Sequence, residues 1–150
     1  MRTIQTTAVL DVTPDVAWRV LTDFPAHAEW NPFMRSIEGQ PAEGARLTVR
    51  LTPPGGRAMT FRPTVTAAQP GTLLEWLGHL GVPGLFDGRH RFELEPLPSG
   101  QTQLTHSESF RGLLVRPLWR SIEAPTTAGF EQFNAAFADR CLAVEDQPAT

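Results

Sequence analysis

His90, His106 and Glu108 are the residues of this chain whose types and spacing could do chemistry. They lie in "HRFELEPLPSGQTQLTHSESF", two alternating segments about a polar turn. Side chains two apart on a strand share a face. His90 therefore travels with Phe92 and Leu94, while His106 and Glu108 travel with Leu104 and Phe110. A turn centred on Pro98-Ser99-Gly100 would set His90 opposite Glu108 and Phe92 opposite His106, and a two-residue slip of that centre would keep the face but change the partners. Two imidazoles and a carboxylate then share one patch with residues that should fill a core. Arg89, Arg91, Glu93, Glu95, Ser107 and Ser109 take the opposite side, expected to face solvent.

Four uses of that patch follow from its chemistry. The histidines can be satisfied core residues, hydrogen-bonded for stability alone. The patch can hold the polar end of an otherwise apolar ligand. His106 or His90 can act as a general base tuned by Glu108, suited to removing a proton beside a carbonyl. A metal site is the fourth, since "HSE" carries the H-x-E spacing of zinc deaminases, but the paired cysteines of that signature are missing. No metal is expected at His90, His106 and Glu108.

The elements that must position these residues can be read along the chain. "TIQTTAVLDV" places Ile4, Thr6, Ala8, Leu10 and Val12 at period two, a strand pattern. In "TPDVAWRVLTDF", Thr13 is a candidate cap, Pro14 fits the first helical position and Asp15 suits the positive helix end. "FPAHAEWNPF" predicts a second short helix, stopped at Asn31 by the following proline. Strands are predicted in "MRSIEG", "ARLTVRL", "AMTFRPTVTA" and "TLLEWLGHL", with Pro63 interrupting the third at an edge or bulge. The hairpin follows. A long C-terminal helix then carries Trp119, Ile122, Thr126, Phe130, Phe133, Phe137 and Cys141 at helical spacing, with Pro125 expected to kink or divide it.

Composition narrows the function classes. The chain of 150 residues suits one domain, expected over 1–145, with a frayed tail at 146–150. A net charge of -3 and no Lys/Arg block give no field for nucleic acid, so no nucleic-acid partner is expected. No apolar run approaches a membrane span, so no membrane insertion is expected. The opening residues lack a secretory pattern, and cytoplasm is the expected location. The single Cys141 excludes an internal disulfide and a zinc-cysteine cluster. Nine phenylalanines and four tryptophans against no tyrosine leave few hydroxyls to orient a reaction.

The order of elements and several stretches resemble the SRPBCC (START/Bet v 1-like) superfamily, in its polyketide cyclase/dehydrase-like branch. The resemblance is carried by "VTPDVAWRVLTDF", "EWNPF", "IEGQPAEGARLTVRL", "LLEWLGHLGVPGLFDGRHRFELEPL", "THSESFRGLL" and "GFEQFNAAF", and spans nearly the whole chain. It implies an α+β helix-grip fold: a seven-stranded curved antiparallel sheet around a long C-terminal helix, with two short helices after the first strand and an apolar cavity between sheet and helix. The expected lining is Trp30, Phe61, Trp76, His90, Phe92, His106, Phe130 and Phe137. The leading expectation is a binder or carrier of a small hydrophobic ligand, lipid-like, aromatic or polyketide-like, without a cofactor, as a monomer or weak homodimer. The alternative is a cofactor-independent cyclase or dehydratase using His106, Glu108 and His90 as general acid and base. A protein-interaction module working through the outer sheet face is a third class. Its face carries Arg46, Thr48, Arg50, Arg62, Thr64 and Thr66, a solvated rather than a sticky set.

Three residues read as structural. Cys141 sits on the apolar helical stripe and is expected in the core. His27 is expected to be solvated, with Asp23 as its candidate partner on a helix surface. Trp30 is either a core plug or part of the cavity rim.

Overall fold

Alternation sets β1 (Arg2–Leu10), where Ile4 and Leu10 are buried, Thr6 and Ala8 are half-buried on the same face, and Gln5, Thr7 and Val9 are exposed. Pro14 and Asp15 open α1 (Pro14–Thr22), but the Thr13 side chain makes no capping hydrogen bond. A 3-10 turn at Phe24–Ala26 leads into α2 (His27–Trp30), which ends at Asn31 as the proline requires. The strands β2 (Met34–Glu38), β3 (Thr48–Leu51), β4 (Met59–Phe61), β5 (Thr64–Gln69), β6 (Leu73–His79), β7 (Asp87–Pro96) and β8 (Thr102–Arg111) precede α3 (Val115–Glu145). This computed structural model describes residues 1–145, and the tail expected at 146–150 lies outside the described residues.

The fold is α+β, with antiparallel strands packed on one long helix. The strands number eight, not seven, in a five-stranded sheet of order β1-β8-β7-β6-β5 and a three-stranded sheet of order β2-β3-β4. Pro63 accounts for the difference. It has no N–H for the ladder, and the segment read as one strand divides there into β4 and β5. The two sheets stay joined across the break by a bridge between Arg46 and Thr64, with Leu47 N–H donating to the Pro63 carbonyl at 2.8 Å.

Pro125, expected to kink or divide the last helix, does not divide it: α3 continues across that position. The stripe of Phe130, Phe133, Phe137 and Cys141 is wholly buried. Burial pushes the Cys141 thiol up to about 12, so it is an inert core group. Gly129 lets the helix close on α2 and its following loop. A Cβ at that position would stand 2.5 Å from the ring of Phe33, which is itself buried. Gly129→Ala is therefore expected to destabilise the fold by about 1–3 kcal/mol by overpacking, although alanine is the better helix former. Urea denaturation measures it, and an unchanged or raised midpoint would refute this account.

On the outer sheet face, the expectation of free charges is only partly met. Glu75 is buried and takes contacts from Arg89 at 2.6 Å, Arg91 at 3.0 Å and the Thr66 hydroxyl at 2.7 Å. Burial alone would raise this carboxyl. The hydrogen bonds from Thr66 and Arg89, with the charges of both arginines, outweigh it and hold the group below its ordinary value. Ser107, expected to face solvent, is buried.

Candidate functional site

The hairpin register is His90 opposite Glu108 and Phe92 opposite His106, as the turn position requires. The three polar side chains meet in one hydrogen-bonded chain. Glu108 Oε1 lies 2.9 Å from His90 Nδ1, and His90 Nε2 lies 2.7 Å from His106 Nε2. His106 Nδ1 lies 2.9 Å from Asn134 Oδ1 on α3. Asn134 Nδ2 donates to Thr6 Oγ1 at 2.9 Å, and the Thr6 hydroxyl donates to the His106 carbonyl at 3.3 Å. Sequence reasoning missed Asn134 and the role of Thr6. The signal was present: position 134 is four residues after Phe130, on the buried stripe, and Thr6 shares the inward parity of β1.

Donor and acceptor rules fix where the protons lie. Thr6 spends its hydrogen on the His106 carbonyl, so it must accept from the Asn134 amide, whose oxygen then accepts from His106 Nδ1–H. His106, kept neutral, presents a lone pair at Nε2, and His90 must donate there. His90 Nδ1 and Glu108 Oε1 can then bond only with one proton between them. The chain thus holds one proton more than a carboxylate and two neutral imidazoles would carry, and the Glu108–His90 pair is electrically neutral overall. Burial is the main reason His106 stays neutral. Its basicity falls well below the ordinary value, reinforced by the charge at His90 and opposed by the Asn134 bond.

Rings clamp this chain. Phe130 lies parallel to His106 with centroids 3.9 Å apart, Phe92 stacks on it at 4.6 Å, and Trp76 stacks on His90 at 5.2 Å. His106 is fully buried.

A cavity of about 320 Å³ opens beside the chain, between the sheet and the first half of α3. Of the lining expected from the sequence, Phe61, Trp76 and His90 are present, and Glu108 joins them. Phe92, His106, Phe130, Phe137 and Trp30 do not line it. His106 packs against Phe92 and Phe130 behind its wall, and Phe133 links them to Phe137. Trp30 stacks on Phe137 at 5.6 Å and meets His27 at a tilt with centroids 4.6 Å apart, its indole N–H buried without a partner among the described residues, so it is half-buried against the core rather than on the cavity rim. The helix instead contributes Leu118, Ile122, Pro125 and Thr126, the same stripe one to three turns earlier. Phe33, Met34, Val49 and Leu51 complete an apolar wall. Glu108 is the one carboxylate on it, with His79 and His90 the other ionisable groups. His79 sits exposed and bonds Asp87 at 2.6 Å.

His27, expected in solvent, is fully buried. Its Nε2–H donates to the Leu21 carbonyl at 2.8 Å and its Nδ1 accepts from Asn31 Nδ2 at 3.0 Å. Asn31 Oδ1 in turn accepts from the Phe33 and Met34 backbone N–H groups. This is a structural knot that fixes the turn into β2 and so holds Phe33 and Met34, which line the cavity. Among the described residues, no cluster of His, Cys, Asp or Glu is arranged to hold a metal ion, and no helix is long and apolar enough to cross a membrane.

The family described as polyketide cyclase / dehydrase and lipid transport matches residues 1–142. The chain belongs to this family. No curated protein matches the sequence. Among solved structures, protein MLL2253 from Mesorhizobium loti is similar at 25% identity and a TM-score of 0.74, over 97% of this chain and 100% of that one. A START superfamily protein from Mycobacterium smegmatis shares the fold at 16% identity and a TM-score of 0.71, over 95% and 98%. The Zhui aromatase/cyclase from Streptomyces sp. R1128 shares it at 17% identity and a TM-score of 0.67, over 94% and 93%. Family membership supports ligand binding or cyclase-type activity in general terms, and a fold alone does not choose between them.

Proposed function

We propose that this family member binds and carries a small hydrophobic molecule in the cavity between sheet and helix, without a cofactor. The observation that carries the reading is an apolar cavity of about 320 Å³ with a single carboxylate on its wall. Ligand sites typically combine such a lining with a few placed polar groups. Aromatic and polyketide-like molecules suit the Phe33, Phe61 and Trp76 rings. One observation favours the alternative, a cofactor-independent cyclase or dehydratase: the Glu108–His90 proton pair borders the cavity. In that reading Glu108 meets the substrate, and His106 acts only through His90.

Native mass spectrometry of the purified protein tests both. An extra mass is expected that is released on unfolding and is lost in Ile122→Trp, which fills the cavity from the half-buried face of α3. A bound compound recovered unaltered supports the carrier, and conversion of it supports the enzyme. A mass retained in Ile122→Trp would place the ligand elsewhere and end the cavity reading.

A further inference from the structure

Glu108 uses only half of its carboxylate within the protein. Oε1 bonds His90, while Oε2 has no hydrogen-bond partner among the described residues. The side chain is 17% exposed and borders the cavity. Gly88 makes the room for it. A Cβ on Gly88 would stand 2.7 Å from Oε2, so any other residue there would displace the carboxylate. This oxygen faces the cavity rather than the packed core, so its hydrogen bonds must come from water or from a ligand that replaces it.

The chain behind Glu108 selects the kind of donor. Because one proton is already shared with His90, the pair is neutral, and it offers a hydrogen-bond acceptor without a net negative charge. A cationic group entering this apolar cavity would lose its water and find no full counter-charge. A neutral hydroxyl would lose one hydrogen bond to water and regain a charge-assisted one. Behind His106, Asn134 and Thr6 complete every bond, so the acceptor at Oε2 is held in place rather than free to turn inward.

We infer that Glu108 Oε2, in the space left by Gly88, is the recognition point for a neutral hydroxyl at the buried end of an otherwise apolar ligand, the phenols and enols being the simplest class. This rests on the reading of the cavity as a ligand site.

Equilibrium dialysis with three probes of one skeleton tests it: 2-naphthol, 2-methylnaphthalene and the ammonium form of 2-(aminomethyl)naphthalene. The wild-type protein is expected to prefer 2-naphthol to 2-methylnaphthalene by about tenfold or more, the effect of one hydrogen bond to a charged acceptor. That preference should shrink to within about threefold in Glu108→Leu, and also in Gly88→Ala, where the flexible carboxylate yields to the new methyl and the strand itself is unstrained. The urea midpoints of both variants, measured beside the wild type, guard against a fold defect in either. Equal uptake of naphthol and methylnaphthalene by the wild type would overturn the hydroxyl assignment and leave the cavity reading intact. Tighter uptake of the ammonium probe than of naphthol, or a preference surviving in both variants, would overturn it as well. Uptake of none of the three would overturn both.

Discussion

Acidification from pH 6.5 to pH 4 is expected to remove about 3 kcal/mol of folding stability through His27 alone. In the folded protein, burial lowers this imidazole from 6.5 to about 4 and Arg140 adds to the effect, against the opposing pull of the Leu21 carbonyl and Asp23. A folded-state value below the unfolded one means that the unfolded chain takes up the proton first. Stability is therefore intact above pH 6.5 and falls as pH drops through the interval toward 4. His106 acts in the same direction, since burial lowers it too. Glu75 enters this window only at its acid end, and Asp87 lies below it. Both are lowered in the folded protein, so their contributions remain present above their unfolded values of 4.5 and 3.8 and are lost only below them. Urea denaturation at pH 7, 5.5 and 4.5 should show the falling midpoint. His27→Gln can still donate to Leu21 and accept from Asn31, and should flatten much of the slope. A wild-type midpoint independent of pH across this interval would contradict the buried, neutral imidazoles.

Phe130→Ala is expected to cost about 3–5 kcal/mol, the usual range for removing a fully buried phenyl ring. Against a total stability of about 5–15 kcal/mol, that is a large share. The ring does more than fill space, because it lies flat on His106 and 5.2 Å from His90. Its removal leaves a void beside polar atoms, where water can enter. Burial is the first cause of the lowered His106 value, so hydration should return that imidazole toward the ordinary range. NMR titration of the imidazole signals in Phe130→Ala and in Phe130→Leu separates the two effects. Leucine keeps most of the volume and should leave His106 untitrated near neutral pH. An alanine variant with full stability, or one in which His106 stays as depressed as before, would show that the ring does not seal the chain.

The hairpin pairing was legible because two constraints fixed it together: strict alternation on both sides and a short turn with glycine at its end. Parity alone cannot report depth. Phe130, Phe133 and Phe137 lie on the stripe the periodicity picks out, but the gap opens beside Leu118 and Ile122 on that same stripe. Where along α3 the helix touches down is decided by Gly129 against Phe33, a contact between segments far apart in the chain. The Pro63 interruption was visible as a missing donor, and its consequence for the strand count needed the bridge between Arg46 and Thr64. His27 was misread because a four-residue helix has no periodicity to show its inward face. Phe24, three residues earlier and also buried, was the available hint. Asn134 was hidden by its type, since a polar residue on an apolar stripe gains meaning only once a buried imidazole is found opposite it.

Gly88 carries a consequence for how this protein can diverge. Every glycine codon lies one base change from an alanine codon, and alanine restricts the unfolded chain more than glycine does. The methyl group it adds meets only the far end of a flexible side chain. Such a change leaves the strand backbone unstrained and acts on the Glu108 carboxylate instead. On the proposal made above for Glu108, a single substitution at this position would change which ligands the cavity accepts.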